Sequence, residues 1–221
     1  MGAPTIEIWT VDLDGVTTAL GGAAALIGQL TASDQSRLGG MRDATARTRR
    51  AAAWIALRTA AATALGVAPG VLEIARDAHG KPIVADHELE ISLAHAGYLG
   101  LIGISRAGPI GVDIDQVRAV TLSGGRRAHL VALAAALADG TLVPDADTEA
   151  GFVQGWTRIE AVAKARGDGL ARLLGEARRG AKPDARFVAH DADVGIDSYR
   201  AAVAVARDAG AVPAPRWLGL L

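Results

Sequence analysis

Asp113 and Asp115 stand two residues apart in the run Ile110-Gly111-Val112-Asp113-Ile114-Asp115, and Glu160 and Lys164 stand four apart in Trp156-Thr157-Arg158-Ile159-Glu160-Ala161-Val162-Ala163-Lys164. Residues two apart on a strand share a face, and residues four apart on a helix are neighbours. The first spacing sets two carboxylates side by side, and the second sets a carboxylate beside an ammonium. Adjacent carboxylates repel unless water or a cation lies between them. A hard divalent ion such as Mg²⁺ takes oxygen ligands and commonly combines one or two carboxylates with substrate phosphates. Where the two segments converge, three carboxylates and a lysine make a site for Mg²⁺ and a phosphate ester. Each segment also has a plainer reading: two surface acids at a strand end, and a surface ion pair worth about 0.3–0.5 kcal/mol.

Other residue types extend or limit this chemistry. The turn Gly80-Lys81-Pro82 presents an ammonium and backbone N–H groups suited to a phosphate, and His95 closes the run Ile91-Ser92-Leu93-Ala94-His95. Trp156 reads as a core anchor. No Gly-x-x-x-x-Gly-Lys-Ser/Thr loop and no Gly-x-Ser-x-Gly elbow occur, which excludes a Walker-type nucleotide site and that class of serine hydrolase. His79, His87, His95, His129 and His190 lack zinc spacing, and the absence of cysteine excludes disulfides and thiolate chemistry.

These residues need strands and helices to position them. Alternation predicts a strand over Ile6–Leu13, and Ala23–Leu30 reads as a short helix stopped by the polar stretch Thr31–Gln35. A long helix is expected over Arg42–Leu65, ended by Gly66. Strands follow at Val71–Ala75, Glu90–His95, Tyr98–Ser105 (apolar enough to be buried on both faces) and Ile110–Val117. The second half predicts helices over Arg126–Leu137, Thr148–Arg166 and Leu170–Arg179, then strands at Arg186–His190 and Tyr199–Ala206. Asp139–Asp147 reads as an exposed loop, and the tail after Gly210 as irregular.

The halves echo each other. Val11-Asp12-Leu13-Asp14 has the pattern of Val112-Asp113-Ile114-Asp115, and Trp54 to Arg58 has the spacing of Trp156 to Glu160. A duplicated α+β unit explains this: a pseudo-twofold pair of lobes, residues 1–107 and 108–221. The 221 residues are half apolar but only 4% aromatic, so the core must be built from Ala, Val, Leu and Ile. A formal charge of −1 argues against a nucleic-acid or membrane-surface partner. The first residues show neither a secretory leader nor a myristoylation signal, and no apolar run is long enough to span a bilayer. A cytoplasmic protein is expected.

The order of these motifs resembles the surfactin-type 4′-phosphopantetheinyl transferases. Gly80-Lys81-Pro82, a strand ending Ala94-His95, Gly111-Val112-Asp113-Ile114-Asp115, and the pattern Trp156-x-x-x-Glu160-Ala161-x-x-Lys164-x-x-Gly167-x-Gly169-Leu170 follow one another between about Arg37 and Leu170. The length matches this two-lobed class. The resemblance implies a monomer that moves phosphopantetheine from coenzyme A to a serine of an apo acyl- or peptidyl-carrier protein, with Mg²⁺, in fatty-acid, polyketide or peptide biosynthesis. It implies Asp113, Asp115 and Glu160 as Mg²⁺ ligands and Lys164 beside the pyrophosphate. His95 would contact phosphate, and Lys81 within the Gly80–Pro82 turn would face the phosphates and adenine of coenzyme A. Arg49 and Arg37 would lie near the 3′-phosphate.

The chain departs from the family pattern at four places. Ile159 stands where lysine is usual before the glutamate, Asp115 where glutamate is common, and Ala94 where serine precedes the histidine. Thr121–Gly140 lacks the expected aromatic-and-glutamate pattern. Ile159 removes a cation from beside a polyanionic substrate unless Arg158 substitutes. On this reading Glu160, Lys164 and Asp113 carry the chemistry, with Asp113 partly exposed at its strand end. A non-catalytic homologue that binds coenzyme A or a carrier domain, and a Mg²⁺-dependent phosphoesterase, are the alternatives.

Overall fold

The structure is a computed structural model that describes residues 5–85, 87–138, 145 and 147–219. It is a mixed α+β fold. Strand β1 (Ile6–Asp12) is followed by the helices α1 (Leu13–Ala19), α2 (Ala23–Gly28), α3 (Ala32–Leu38) and α4 (Ala44–Leu65). Four strands come next: β2 (Ile74–Arg76), β3 (Pro82–Val84), β4 (Glu90–Ala96) and β5 (Leu99–Ser105). The second half holds β6 (Ile110–Gln116), α5 (Gly124–Leu137), α6 (Glu149–Arg166), α7 (Leu170–Arg178), β7 (Phe187–Ala192), β8 (Tyr199–Ala206) and the two-residue β9 (Arg216–Trp217).

Two sheets share one topology. The first runs β4-β5-β1-β9 and the second β6-β8-β7, so in each the opening strand pairs antiparallel with the third strand of its unit. In each, a long helix separates the first strand from the second. Helix α4 packs on β4 and β5, and α6 packs on β6, β7 and β8. Small residues let the helices approach. Ala51, Ala52, Ala53, Ala56, Ala60 and Ala61 are buried on α4, and a Cβ at Gly111 would collide with the Ala161 carbonyl oxygen of α6. That contact seats the two acid-bearing segments directly against each other.

The two sheets meet where β4 and β5 lie against β6. A Cβ at Gly103 of β5 would come within 2.8 Å of both Val112 Cγ1 and Ile110 Cδ1, so glycine is required for this approach. Ile8, Leu99, Leu101, Ile110, Val112 and Val203 form one apolar cluster across the junction. Aliphatic side chains dominate it, as composition predicts.

Several expectations are corrected. The polar stretch after Leu30 does not merely stop a helix. Thr31 caps α3 by accepting from the Asp34 N–H, which satisfies an otherwise unpaired donor. Asp12 likewise accepts from the Asp14 and Gly15 N–H groups and starts α1, so Leu13 and Asp14 are helical. The match between Asp12-Leu13-Asp14 and the second acidic pair therefore ends at the strand boundary. The strand expected at Val71–Ala75 starts at Ile74 and is followed by an unforeseen partner, β3. The tail is not wholly irregular, because β9 adds to β1 in parallel. The loop expected at Asp139–Asp147 lies, apart from Asp145 and Asp147, outside the described residues. No described helix is long and apolar enough to cross a membrane.

Candidate active site

A cavity of about 440 Å³ opens at the junction of the two sheets. Its walls carry Asp113 and Asp115 from β6, Glu160 and Lys164 from α6, His95 from β4, Gly80 from the turn before β3 and Pro82 at the start of β3. The strand and helix spacings therefore bring their acids and lysine to one place. A smaller adjoining cavity of about 240 Å³ shares Gly80, Pro82, Leu93, Glu160 and Lys164 and is lined further by Lys81, His79, Ala163 and Leu170.

Asp113 is 5% exposed rather than partly exposed at a strand end, because α6 covers it. Its Oδ1 accepts from Lys164 Nζ at 2.6 Å, and the same ammonium donates to the Val112 carbonyl at 3.1 Å. Burial raises the Asp113 pKa to about 7; Lys164 opposes the shift, and the neighbouring Glu160 carboxyl adds to it by charge and by a shared hydrogen bond. Asp113 thus lies between the Lys164 ammonium and the Glu160 carboxyl group. His95 opens onto the cavity, and its pKa is lowered by desolvation from the surrounding walls and by the cations Arg50 and Lys164.

Asp115 is held differently. Its Oδ2 pairs with Arg118 at 2.9 Å and its Oδ1 accepts the Gln116 N–H. Among the described residues, no group of three or more His, Cys, Asp or Glu side chains is arranged to hold a metal ion. The donor set nevertheless fits a hard divalent cation. Asp113 and Glu160 supply converging oxygens, a cation between them would relieve the repulsion that raises Asp113, and Asp115 lines the same wall.

The basic side chains differ from those expected. Neither Arg37 nor Arg49 lines the cavity. Arg49 is engaged by Asp14, Nη2 to Oδ2 at 2.6 Å, and Arg37 lies 3.5 Å from Asp34. Lys81 pairs with Glu90 at 2.8 Å and faces only the smaller cavity. The cations on the main wall are Arg50, Arg76 and Arg118, with Lys164. Arg76 lies 3.8 Å over the Trp54 ring, and its Nε is buried without a hydrogen-bond partner among the described residues. Desolvation, then the nearby Arg37 and Arg50 charges, lower its pKa. Arg50 was within reach of sequence reasoning, since one residue beyond Arg49 turns the helix by about 100°. Nothing local marked Arg76.

Two tryptophans line the cavity, Trp54 on α4 and Trp156 on α6. Trp156 also packs on the core of the second half, so its role as an anchor holds alongside a place in the wall. Ile159 is 0% exposed within that core and does not flank the cavity. Arg158 is also buried, its guanidinium bound by Asp191 of β7 at 2.6 and 2.7 Å, and so does not replace a missing cavity cation.

Two cyanobacterial proteins bear on this arrangement. HetI of Nostoc sp., a 4′-phosphopantetheinyl transferase, is 29% identical over 174 residues, covering 76% of this chain and 71% of HetI. The chain is similar to 4′-phosphopantetheinyl transferases. A Synechocystis sp. protein that bears the same transferase name provisionally is 31% identical over 131 residues, 55% of this chain and 50% of that protein. The chain thus matches half the length of this second transferase relative. No protein-family model matches the chain.

Proposed function

We propose that the chain is a surfactin-type 4′-phosphopantetheinyl transferase, moving phosphopantetheine from coenzyme A to a serine of an acyl- or peptidyl-carrier protein. The observation that carries this reading is the cavity itself. It brings the Asp113 and Glu160 carboxyl groups and Lys164 together with His95, Arg50, Arg76, Gly80 and Pro82. Such a site suits a polyanion that carries both a pyrophosphate and a third phosphate. The similarity to HetI supports the same reading.

The reaction joins the serine Oγ to the β-phosphorus of coenzyme A and breaks the bond from that phosphorus to the oxygen of the departing 3′,5′-ADP. Glu160 is the acceptor for the serine proton. Lys164 lines the cavity beside Asp113 and offers its charge to the pyrophosphate oxygens. His95, with a lowered pKa, is neutral near pH 7 and contributes a hydrogen bond rather than a charge. Asp113 and Glu160, with Asp115 on the same wall, would hold Mg²⁺, which when bound neutralises charge on the pyrophosphate. Arg76, stacked on Trp54 in the cavity wall with Nη1 on the Gly80 carbonyl, is placed to meet the third phosphate. No covalent enzyme intermediate is required.

The shared topology of the two sheets supports a division into lobes at 1–107 and 108–221, with coenzyme A in the cleft between them. A cytoplasmic monomer is part of the same reading. The non-catalytic alternative drew on Ile159. That side chain is sealed in the core, so its identity takes no cation from the cavity wall. Titration with 3′,5′-ADP tests the cleft placement. Incubation of coenzyme A without a carrier separates transfer from phosphoester hydrolysis, since only a phosphoesterase would turn over.

A further inference from the structure

We propose that Ser92 is a positioning residue for the transfer site, its hydroxyl holding strand β6 where Asp113 meets Lys164 and Glu160. The inference rests on the transferase reading above. Among the described residues, strand β6 is paired along one edge only, with β8; its other edge faces β4 of the neighbouring sheet, with which it shares no strand pairing. In an antiparallel strand, alternate residues turn their N–H and C=O groups to opposite edges. Val112 turns both of its groups to the unpaired edge, where it is 0% exposed and has no water to satisfy them.

Side chains take the place of the missing strand. The Val112 N–H donates to Ser92 Oγ at 3.0 Å, and the Val112 carbonyl accepts from Lys164 at 3.1 Å. That carbonyl belongs to the peptide leading into Asp113, whose own Oδ1 takes the same ammonium. Ser92 is itself buried, on β4, three residues before His95. One hydroxyl from the first sheet thus fixes the strand that carries Asp113, and one ammonium from α6 fixes the next peptide and the carboxylate. Alanine at 92 would keep the shape of the junction and leave the Val112 N–H buried and unpaired. The strand would then be free to shift by a fraction of an ångström, which matters to a carboxylate confined between Lys164 and Glu160.

The test compares the full chain with Ser92→Ala and with Ser92→Thr, which retains the hydroxyl. Amide hydrogen exchange is followed without substrate, and kcat and KM are measured with coenzyme A and an apo carrier. In Ser92→Ala, exchange at Val112 should accelerate by more than about tenfold while the amides of β1 and β5 keep their protection. Turnover should fall roughly 10–100-fold, the scale of an ångström-sized misplacement, with KM for coenzyme A within about twofold. Ser92→Thr should restore both. Unchanged kcat in Ser92→Ala despite an exposed Val112 amide overturns the proposal. So does a uniform loss of protection and activity that Ser92→Thr does not repair. If the unmodified chain transfers nothing, the transferase reading fails, and unchanged Val112 protection in Ser92→Ala would then refute the clamp independently.

Discussion

Lys164 and Asp113, 51 residues apart, form a half-buried contact of 2.6 Å in which the lysine also holds the backbone carbonyl just before the aspartate. The lysine therefore has a positioning task as well as a charge to offer. Lys164→Ala should lose both, and Lys164→Arg should recover little, because a planar guanidinium does not reproduce a compact ammonium held by two oxygens. Transfer assays on the two variants, with circular dichroism to confirm folding, check this; full activity in Lys164→Arg would contradict it.

Asp113→Asn should abolish transfer with little change in shape. The preorganised contact it removes is worth roughly 3–4 kcal/mol in the transition state, or about a 10²–10³-fold loss of turnover. Near-normal kcat at saturating Mg²⁺ would remove Asp113 from the chemistry.

The same residue sets a pH dependence in the metal-free protein. Burial and Glu160 raise the Asp113 pKa from 3.8 to about 7, so the native state keeps a proton that the unfolded chain has released. This contribution to stability is fully present below the unfolded value and is lost as pH rises through about 7. Urea unfolding in a chelator across that window should show Asp113→Asn gaining on the parent as pH rises. A constant difference between the two would mean that Asp113 ionises normally.

Much of this site was legible in the chain. Strand parity paired Asp113 with Asp115, and helical spacing paired Glu160 with Lys164; both are local rules that tertiary structure did not override. The limits of α4 and α6 were marked by Gly66 and Gly167, which adopt left-handed cap conformations. What escaped depended on packing. Asp113 looked like a strand-end surface acid because nothing local showed that Gly111 admits α6 so closely. Helix α1 was hidden because Asp12 ends a strand and caps a helix at once. Arg49 and Arg37 looked like phosphate ligands by position, but Asp14 and Asp34 engage them, whereas Arg76 reaches the cavity from a three-residue strand.

Arg76 should therefore matter more than Arg49 to nucleotide binding. Arg76→Gln is expected to weaken 3′,5′-ADP by about tenfold or more, the scale of a lost charge-assisted hydrogen bond. Arg49→Gln and Arg37→Gln should stay within about threefold, since their charges are matched on the protein. Calorimetric titration of the three variants decides the order, and a larger effect at Arg49 would return the third phosphate to that side.

Ile159→Lys should damage folding rather than improve catalysis. The side chain lies wholly within the core of the second half, so an ammonium there would be desolvated without a partner. Destabilisation of more than about 3 kcal/mol is expected, visible as a lower urea midpoint. A stable variant with a higher kcat/KM would place position 159 at the cavity after all.

The most direct measurement is the intact mass of apo carrier proteins of the fatty-acid, polyketide and peptide types after incubation with the chain, coenzyme A and Mg²⁺. The account predicts addition of one phosphopantetheine to at least one carrier, lost when Mg²⁺ is withheld and lost in Asp113→Asn. Unmodified carriers of all three types, or coenzyme A cleaved at the same rate with no carrier present, would contradict it.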